Sequence, residues 1–239
     1  WQEFNRRLLV RDSSLASQLL LIIALIFLYL FNLKKMPLAD YPEVKNIISF
    51  FNLGMVGMIQ LAIGMRFIFP HFSRQLNTLW LQFILPVKRE ELFRMHLRFY
   101  IVPVTLLGFF LVISSGLILN IYPPLFAVQL AGVLFLGPVT ANLCYCMGII
   151  FPLKKFENVS QIESSGGGVL CMLFGIFYLV LALGVLAFPV RLIFLRKFGF
   201  NPGLSVLTGG FPVFFMILQA FFYYPLRKFA FQKYSRYSL

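Results

Sequence analysis

Long, continuously apolar segments alternate with short polar segments along the whole chain. Six of them are long enough to cross a bilayer as a helix, which takes roughly 20 residues. They lack the every-second-residue alternation over about ten residues that marks the strands of a membrane barrel. A helix also satisfies its own backbone hydrogen bonds in lipid. The pattern predicts an all-α, polytopic transmembrane bundle with six spans: Leu15–Leu33, Ile47–Ile68, Phe99–Leu119, Leu125–Ile150, Val169–Val190 and Val206–Leu226.

Composition supports this fold class and excludes a soluble globular protein. Of the 239 residues, 60% are hydrophobic and 12% charged, 30 are phenylalanine, and the mean hydropathy is +0.86. Soluble domains carry roughly 25% charged residues, and so many phenylalanines exceed what a soluble core of this length can hide. We therefore predict that residues 1–239 form a single transmembrane domain, with larger loops at 69–98 and 151–168.

The net charge of +13 is distributed as flanks of the apolar segments rather than as one basic face. This placement favours contact with membrane lipids and argues against nucleic acid. On the six-span topology, 15 of the 21 lysines and arginines fall on one side. The positive-inside rule then predicts a plasma (inner) membrane protein with both termini and both larger loops in the cytoplasm. Arg191, Arg196 and Lys197 oppose the rule, so we predict that residues 192–200 form a short interfacial element outside.

The chain offers little for catalysis. No Gly-Lys-Ser/Thr phosphate loop occurs, and neither His71 nor His96 belongs to a metal-binding motif. None of the eight acidic residues lies deep in a span, which disfavours an ion-coupled pump. We therefore expect no enzymatic activity, metal or cofactor in this chain.

The loop 69–98 carries an amphipathic helical pattern that Pro86 should end. Glu90 and Glu91 then fall in the first turn of the next helix, where the helix dipole favours carboxylates. One stripe is apolar and fits either an interfacial helix on the inner leaflet or packing against protein. The opposite side carries Arg74, Thr78, Leu81 and Leu85, which favours a second surface that faces a protein partner. The apolar stripe comprises Phe72, Leu76, Leu79, Trp80, Phe83 and Ile84.

Two further features invite a structural or a functional interpretation. Gly166, Gly167 and Gly168 stand where a span begins, and each costs about 1 kcal/mol in a helix relative to alanine. They indicate a close backbone approach, a flexible break that could serve gating, or a plain linker. Asn142 lies in mid-span, where it either forms an interhelical hydrogen bond or contacts a substrate.

Several short segments near the ends of the predicted spans match a known pattern: Arg11-Asp12, Gln18-Leu19-Leu20, Tyr29-Leu30-Phe31-Asn32, Arg66-Phe67-Ile68-Phe69-Pro70, Ser73, Trp80, Leu85-Pro86-Val87, Phe151-Pro152, Glu157-Asn158 and the run from Ser164 to Gly168. In these segments the chain resembles the membrane subunits of ABC-type exporters, and specifically the C-terminal six-span half of the ABC exporter permease family. It departs from the family pattern at Gln75 and Leu76, where an acidic residue and a glycine are expected.

The resemblance implies a permease that exports a substrate with ATP hydrolysed by a separate ATPase subunit, and that pairs with a second six-span half or a second copy. It also implies that the loop after the second span is a cytoplasmic coupling helix seated on that ATPase. A non-transporting membrane scaffold is the alternative, and a membrane enzyme ranks third. The predicted coupling residues are Arg74, Thr78, Leu81, Leu85, Pro86 and Lys88.

Overall fold

The computed structural model describes residues 13–35, 42–79, 87–121, 123–156, 158–197 and 205–236, and the described residues are all-α. A π-helical segment, Gly64–Ile68, joins α2 to α3, and a 3-10 segment, Leu76–Thr78, follows α3. The α-helices are α1 Ser13–Lys35, α2 Pro42–Ile63, α3 Phe69–Gln75, α4 Arg89–Leu119, α5 Pro123–Ile150, α6 Val159–Glu163, α7 Gly166–Lys197 and α8 Ser205–Arg236.

Four helical stretches of the described chain are long and apolar enough to cross a membrane, as expected for an integral membrane protein. They fall on the second to the fifth predicted span. The first and sixth predicted spans coincide with the helices α1 and α8, but the count of six spans stays a prediction. The four stretches are Ile48–Gln75, Arg89–Leu119, Pro123–Ile150 and Gly166–Ala187.

The second span was predicted to end at Ile68, but the helix does not end at that residue. The helix continues from α2 through the π segment into α3, where the Phe69 N–H donates to the Gly64 carbonyl five residues earlier. Pro70, near the start of α3, has no N–H to offer the preceding turn. A π turn accommodates that missing bond without ending the helix, since such bulges insert one residue into an α-helix.

The segment 192–200 was predicted to be a short interfacial element. The helix α7 runs without interruption to Lys197, so residues 192–197 continue the fifth predicted span as a helix. Their interfacial position stays a prediction. Residues 198–200 lie outside the described part of the chain.

The helix α5 is the centre of the bundle. It packs against α2, α3, α4, α7 and α8, and all of residues 139–150 are buried. Glycines permit the closest approaches. A Cβ on Gly148 would lie 2.4 Å from the carbonyl oxygen of Phe69, and one on Gly64 would lie 2.7 Å from the Sγ of Cys144. Such contacts drive helix association where no hydrophobic effect between helices operates.

Buried polar side chains join the helices at several depths. The Asn52 amide donates to the Ser115 hydroxyl at 2.7 Å, which connects α2 to α4. The Gln129 amide donates to the hydroxyl of Ser49 at 2.6 Å, which connects α5 to α2. The Gln60 amide donates to the backbone carbonyl of Val104 at 3.1 Å. These bonds fix helix rotation because a polar group in hydrocarbon needs a partner.

Candidate functional site

One end of the bundle gathers both predicted loops, and we call it the loop face. It comprises α3, α6, the first turns of α4 and α7, and the last turns of α5 and α8. The backbone N–H of Leu153 donates to the Ser73 hydroxyl at 3.1 Å, which ties the second loop to α3. Arg89 donates to the carbonyl of Ser235 at 3.2 Å, which ties α4 to α8. The two loops therefore form one connected surface.

In the part of the first loop that the structure describes, the apolar stripe points into the bundle. Phe72 and Leu79 are buried, and Leu76 is half-buried against the core. Packing against protein is therefore the correct interpretation for Phe72 and Leu79. Trp80, Phe83 and Ile84 lie outside the described residues.

Three of the six predicted coupling residues are placed by the structure. Arg74 is half-buried on α3, whereas Thr78 and Lys88 are exposed. The Thr78 hydroxyl donates to the Gln75 carbonyl at 3.1 Å. Leu81, Leu85 and Pro86 lie outside the described residues, and the coupling role of the whole set stays a prediction.

The start of α4 agrees with the sequence. Lys88 has extended backbone angles and the helix begins at Arg89, so Glu90 and Glu91 occupy the first turn as predicted. Glu90 also pairs with Arg94 at 3.4 Å on an exposed surface. A pair of that kind contributes little to stability, about 0.3–0.5 kcal/mol.

A cluster of aromatic rings lies beneath the loop face, and sequence reasoning missed it. Phe93 of α4 is at its centre, with ring centroids 5.3 Å from Tyr145, 5.7 Å from Phe231 and 6.0 Å from Tyr234. Phe72 of α3 adds a contact with Tyr234 at 6.0 Å. Burial raises the pKa of Tyr234 to about 12, so this phenol stays neutral at physiological pH. Through Phe72, the cluster anchors α3 to the bundle.

The two histidines, which sequence motifs left unconnected, meet beside this cluster. The Tyr100 hydroxyl and the Nδ1 of His71 lie 2.6 Å apart, and the His71 and His96 rings lie 5.5 Å apart. They join α3 to α4. Within the described residues no group of three or more His, Cys, Asp or Glu side chains could hold a metal ion.

The glycine run begins α7 and is closely packed at two of its three positions. A Cβ on Gly167 would lie 2.5 Å from the Cβ of Phe151, and one on Gly168 would lie 2.0 Å from the carbonyl oxygen of Glu163. Gly166 has open space around it. Close backbone approach therefore accounts for Gly167 and Gly168, and a role of this run in gating stays a prediction.

The last residue of α6, Glu163, carries a carboxyl in an unusual environment. Burial raises the pKa of Glu163, and the positive charge of Arg66 opposes that shift. Arg66 belongs to the π segment, so this electrostatic interaction connects the end of the second span to the second loop.

Asn142 forms an interhelical hydrogen bond. Its side chain is fully buried, and its Nδ2 donates to the backbone carbonyl of Tyr223 on α8 at 3.2 Å. Its Oδ1 accepts a weak bond from the Cys146 thiol at 3.5 Å. Both polar ends of this amide are therefore engaged within the bundle, and the observed geometry supports packing rather than substrate contact.

Comparison with known proteins gives one match. The family model described as "Putative ATP-binding cassette" matches residues 4–228, nearly the whole chain. No curated protein and no solved structure matches it. The matched region contains α1 to α7 and most of α8, together with all of the loop face except the last turn of α8.

Proposed function

Since the chain belongs to this ATP-binding cassette family, we propose that it is the permease component of an ATP-driven ABC-type exporter. The match across the membrane helices carries the proposal. The chain has no phosphate-loop sequence of the Gly-Lys-Ser/Thr type, so a separate ATPase subunit would bind and hydrolyse ATP. The permease would supply the translocation path and the surface on which that subunit docks.

The loop face supports a docking role because it carries exposed charge and rests on the aromatic cluster around Phe93. Lys88, Arg94, Arg98, Lys154 and Lys155 are exposed on it or next to it, and Glu90 and Glu91 are exposed among them. The basic groups outnumber these two carboxylates, and an excess of one sign steers a partner of the opposite sign and fixes its orientation. The partner surface would accordingly be acidic.

The same face offers a route for force into the membrane. The helix α3 lies on Gly148 of α5 at backbone distance, and Ser73 bonds to Leu153 just after α5 ends. A displacement of α3 by the ATPase would therefore reach the end of α5 directly. Packed elements transmit such shifts because they are close to incompressible.

The path itself would lie between two six-span units rather than inside one. The centre of this unit is occupied by α5, whose last 12 residues, 139–150, are all buried. A second six-span half or a second copy of the chain would face it across the path. The six spans of each unit would include α1 and α8, and the protein would reside in the plasma (inner) membrane.

The proposed topology places the loop face and both termini in the cytoplasm. Gln232 and Pro123 are exposed at opposite ends of the bundle. Single cysteines there, in a background without Cys144, Cys146 and Cys171, should be labelled by an impermeant maleimide from opposite sides. We expect Gln232→Cys to be labelled only after intact cells have been permeabilised. We expect Pro123→Cys to be labelled in intact cells, before permeabilisation. Labelling of both from one side contradicts the topology.

The docking surface is tested by a paired substitution. The double variant Leu81→Asp, Leu85→Asp should lose co-purification of the ATPase and any transport-linked ATP hydrolysis, because charge placed in an apolar contact without a partner is costly. We expect at least about a ten-fold weaker association, as for loss of a central interface contact. The measurement is the amount of ATPase retained per permease from mixed detergent extracts.

Leu79→Asp is the matched comparison, since Leu79 is buried two positions earlier. That change should damage the membrane domain itself and lower its yield in a monodisperse form. The double variant should instead keep the yield of the parent protein. Unchanged ATPase retention in the double variant would remove the coupling role.

A membrane scaffold that does not transport is the second candidate, and the filled centre of the bundle favours it. Such a protein would keep the same fold and loop face but would show no nucleotide-binding subunit among its co-purified partners. Co-purification from native membranes therefore separates the two functions.

A further inference from the structure

His71 and His96 are the two histidines of the chain, and they meet where α3 approaches α4. Their ring centroids lie 5.5 Å apart, and the ring planes are inclined at 58°. His96 is 3% exposed, and His71 is half-buried on the loop face. Imidazole nitrogens are suitable ligands for zinc, copper and nickel ions. The pair is therefore a candidate cation site.

The two ring nitrogens of His71 differ in their surroundings. Nδ1 lies 2.6 Å from the Tyr100 hydroxyl, and the two rings meet edge to face with centroids 5.0 Å apart. Nε2 is buried and has no hydrogen-bond partner among the described residues. When the Nδ1–H group donates to the Tyr100 oxygen, Nε2 carries the lone pair of the neutral ring. A buried lone pair of this kind calls for a ligand.

His96 is oriented in a comparable way. Its ring is hydrogen-bonded to the backbone of Leu92, one helical turn earlier. Histidines that bind a metal almost always use their other ring nitrogen for a bond to a carboxylate, a backbone carbonyl or a similar group, which fixes the tautomer and the ring orientation. Tyr100 fills that role for His71, and Leu92 fills it for His96. Both histidines therefore have the outer contacts that metal ligands have.

The separation of the two rings fits one shared ion. At a zinc–nitrogen distance of about 2.1 Å, with each nitrogen roughly 1.1 Å from its ring centroid, two imidazoles on a tetrahedral ion have centroids about 5 Å apart. The observed separation of 5.5 Å is close to that value. The pair supplies two of the four ligands, because no third His, Cys, Asp or Glu side chain of the described residues joins it. Water from the loop face would complete the coordination, as water does in open zinc sites.

We propose that His71 and His96 bind a divalent transition-metal cation of the zinc type, with Tyr100 positioning the His71 ring. The site goes beyond the proposed transport function and does not depend on it, since it requires only that α3 and α4 meet as they do in this bundle. A bound ion would tie α3 to α4, in addition to the existing hydrogen bond between His71 and Tyr100.

Copper(II) is the spectroscopic probe, because the chain contains no histidine besides these two. The full chain is purified in detergent through a tag without histidine and mixed with one equivalent of Cu²⁺. Its three cysteines are replaced beforehand, since thiols reduce Cu²⁺. Electron paramagnetic resonance should show coupling of the copper to two imidazole nitrogens. His71→Asn and His96→Asn should each reduce that coupling to one nitrogen or none.

Zinc binding should also stabilise the same protein against heat. Titration with Zn²⁺ should raise the thermal midpoint by about 5 °C or more at one hundred times the dissociation constant, whereas Mg²⁺, which prefers oxygen ligands, should not. The two histidine variants should lose this shift.

Two tyrosine variants test the outer contact. Tyr100→Phe keeps both imidazoles but removes the bond to Nδ1 of His71, and it should weaken Zn²⁺ binding by about ten-fold or more. Tyr145→Phe is the matched control, because it removes a hydroxyl from a buried ring 6.5 Å from that of Tyr100. It should leave the zinc affinity unchanged.

Three results would overturn the site. A midpoint shift that is equal for Zn²⁺ and Mg²⁺, or absent with both, would exclude an imidazole site. Copper spectra and zinc affinity that are unchanged in both histidine variants would indicate an adventitious ion only. Equal zinc affinity of Tyr100→Phe and Tyr145→Phe would show that the contact between Tyr100 and His71 does not position a metal ligand. This last comparison decides the matter even where a histidine variant fails to fold.

Discussion

Replacement of Gly148 by valine is expected to prevent the loop face from forming on α5. A Cβ at this position would lie 2.4 Å from the carbonyl oxygen and 3.3 Å from the carbonyl carbon of Phe69. Both are backbone atoms, so no rotamer change relieves the overlap and α3 must move away. Overpacking typically costs about 1–3 kcal/mol, and a clash with backbone atoms is expected at the upper end of that range. The variant should show a markedly lower thermal midpoint in detergent and lose the contact between Ser73 and Leu153.

Gly184→Ala provides the control for this substitution. Gly184 lies within α7, and nothing stands within 4 Å of an added Cβ. Alanine there should be neutral or stabilising by up to about 1 kcal/mol, because glycine is a poor helix former. The two variants together distinguish a specific close contact from a general demand for glycine. Equal stability of Gly148→Val and the parent protein would refute the observed approach of α3 to α5.

Truncation of Phe93 to alanine should destabilise the bundle by about 3–5 kcal/mol, the usual cost of removing a buried phenylalanine ring. Phe93 is 1% exposed, and its ring meets those of Tyr145, Phe231 and Tyr234. Aromatic pairs add about 0.5–1.5 kcal/mol each beyond the area they bury. Unfolding in mixed detergent micelles, followed by tyrosine and tryptophan fluorescence, gives the measurement.

Phe110→Ala is the matched change on the same helix. Phe110 is 57% exposed, so its removal leaves no internal cavity and should change stability by no more than about 0.5 kcal/mol. A Phe93→Ala protein as stable as Phe110→Ala would mean that the aromatic cluster does not support the loop face.

The helices were predictable because lipid imposes length and continuous apolarity on each span. Predicted and observed ends agree at Leu119 and Ile150, and the acidic first turn of α4 was also read correctly from Glu90 and Glu91. The predicted span begins at Phe99, ten residues after the helix α4 itself begins at Arg89, because polar residues such as Arg94 extend the helix beyond its apolar segment. Hydropathy locates the hydrocarbon boundary, and a helix need not end there.

The contacts that build the loop face could not be predicted in the same way. Ser73 and Leu153 are 80 residues apart, and the aromatic cluster draws on four helices. The periodicity within one segment does not indicate which residues of another segment that segment will contact. Gly148 is an instructive case, since nothing in the sequence around it indicates that a backbone carbonyl lies against it. Conversely, the cost of three successive glycines suggested close packing as one of three interpretations, and the structure shows it at Gly167 and Gly168.

The hydrogen bonds of α5 also bear on the order in which the chain is made. Gln129 bonds to Ser49, which leaves the ribosome 80 residues earlier, so its partner is already present when α5 emerges. Asn142 donates to Tyr223, which is made 81 residues later. Since chains are synthesised from the N-terminus at about 5–20 residues per second, the Asn142 amide waits several seconds for α8. The interhelical hydrogen bonds of α5 are therefore complete only after α8 has been made. A nascent chain that stalls before Tyr223 would leave the N–H groups of Asn142 without this partner in the core.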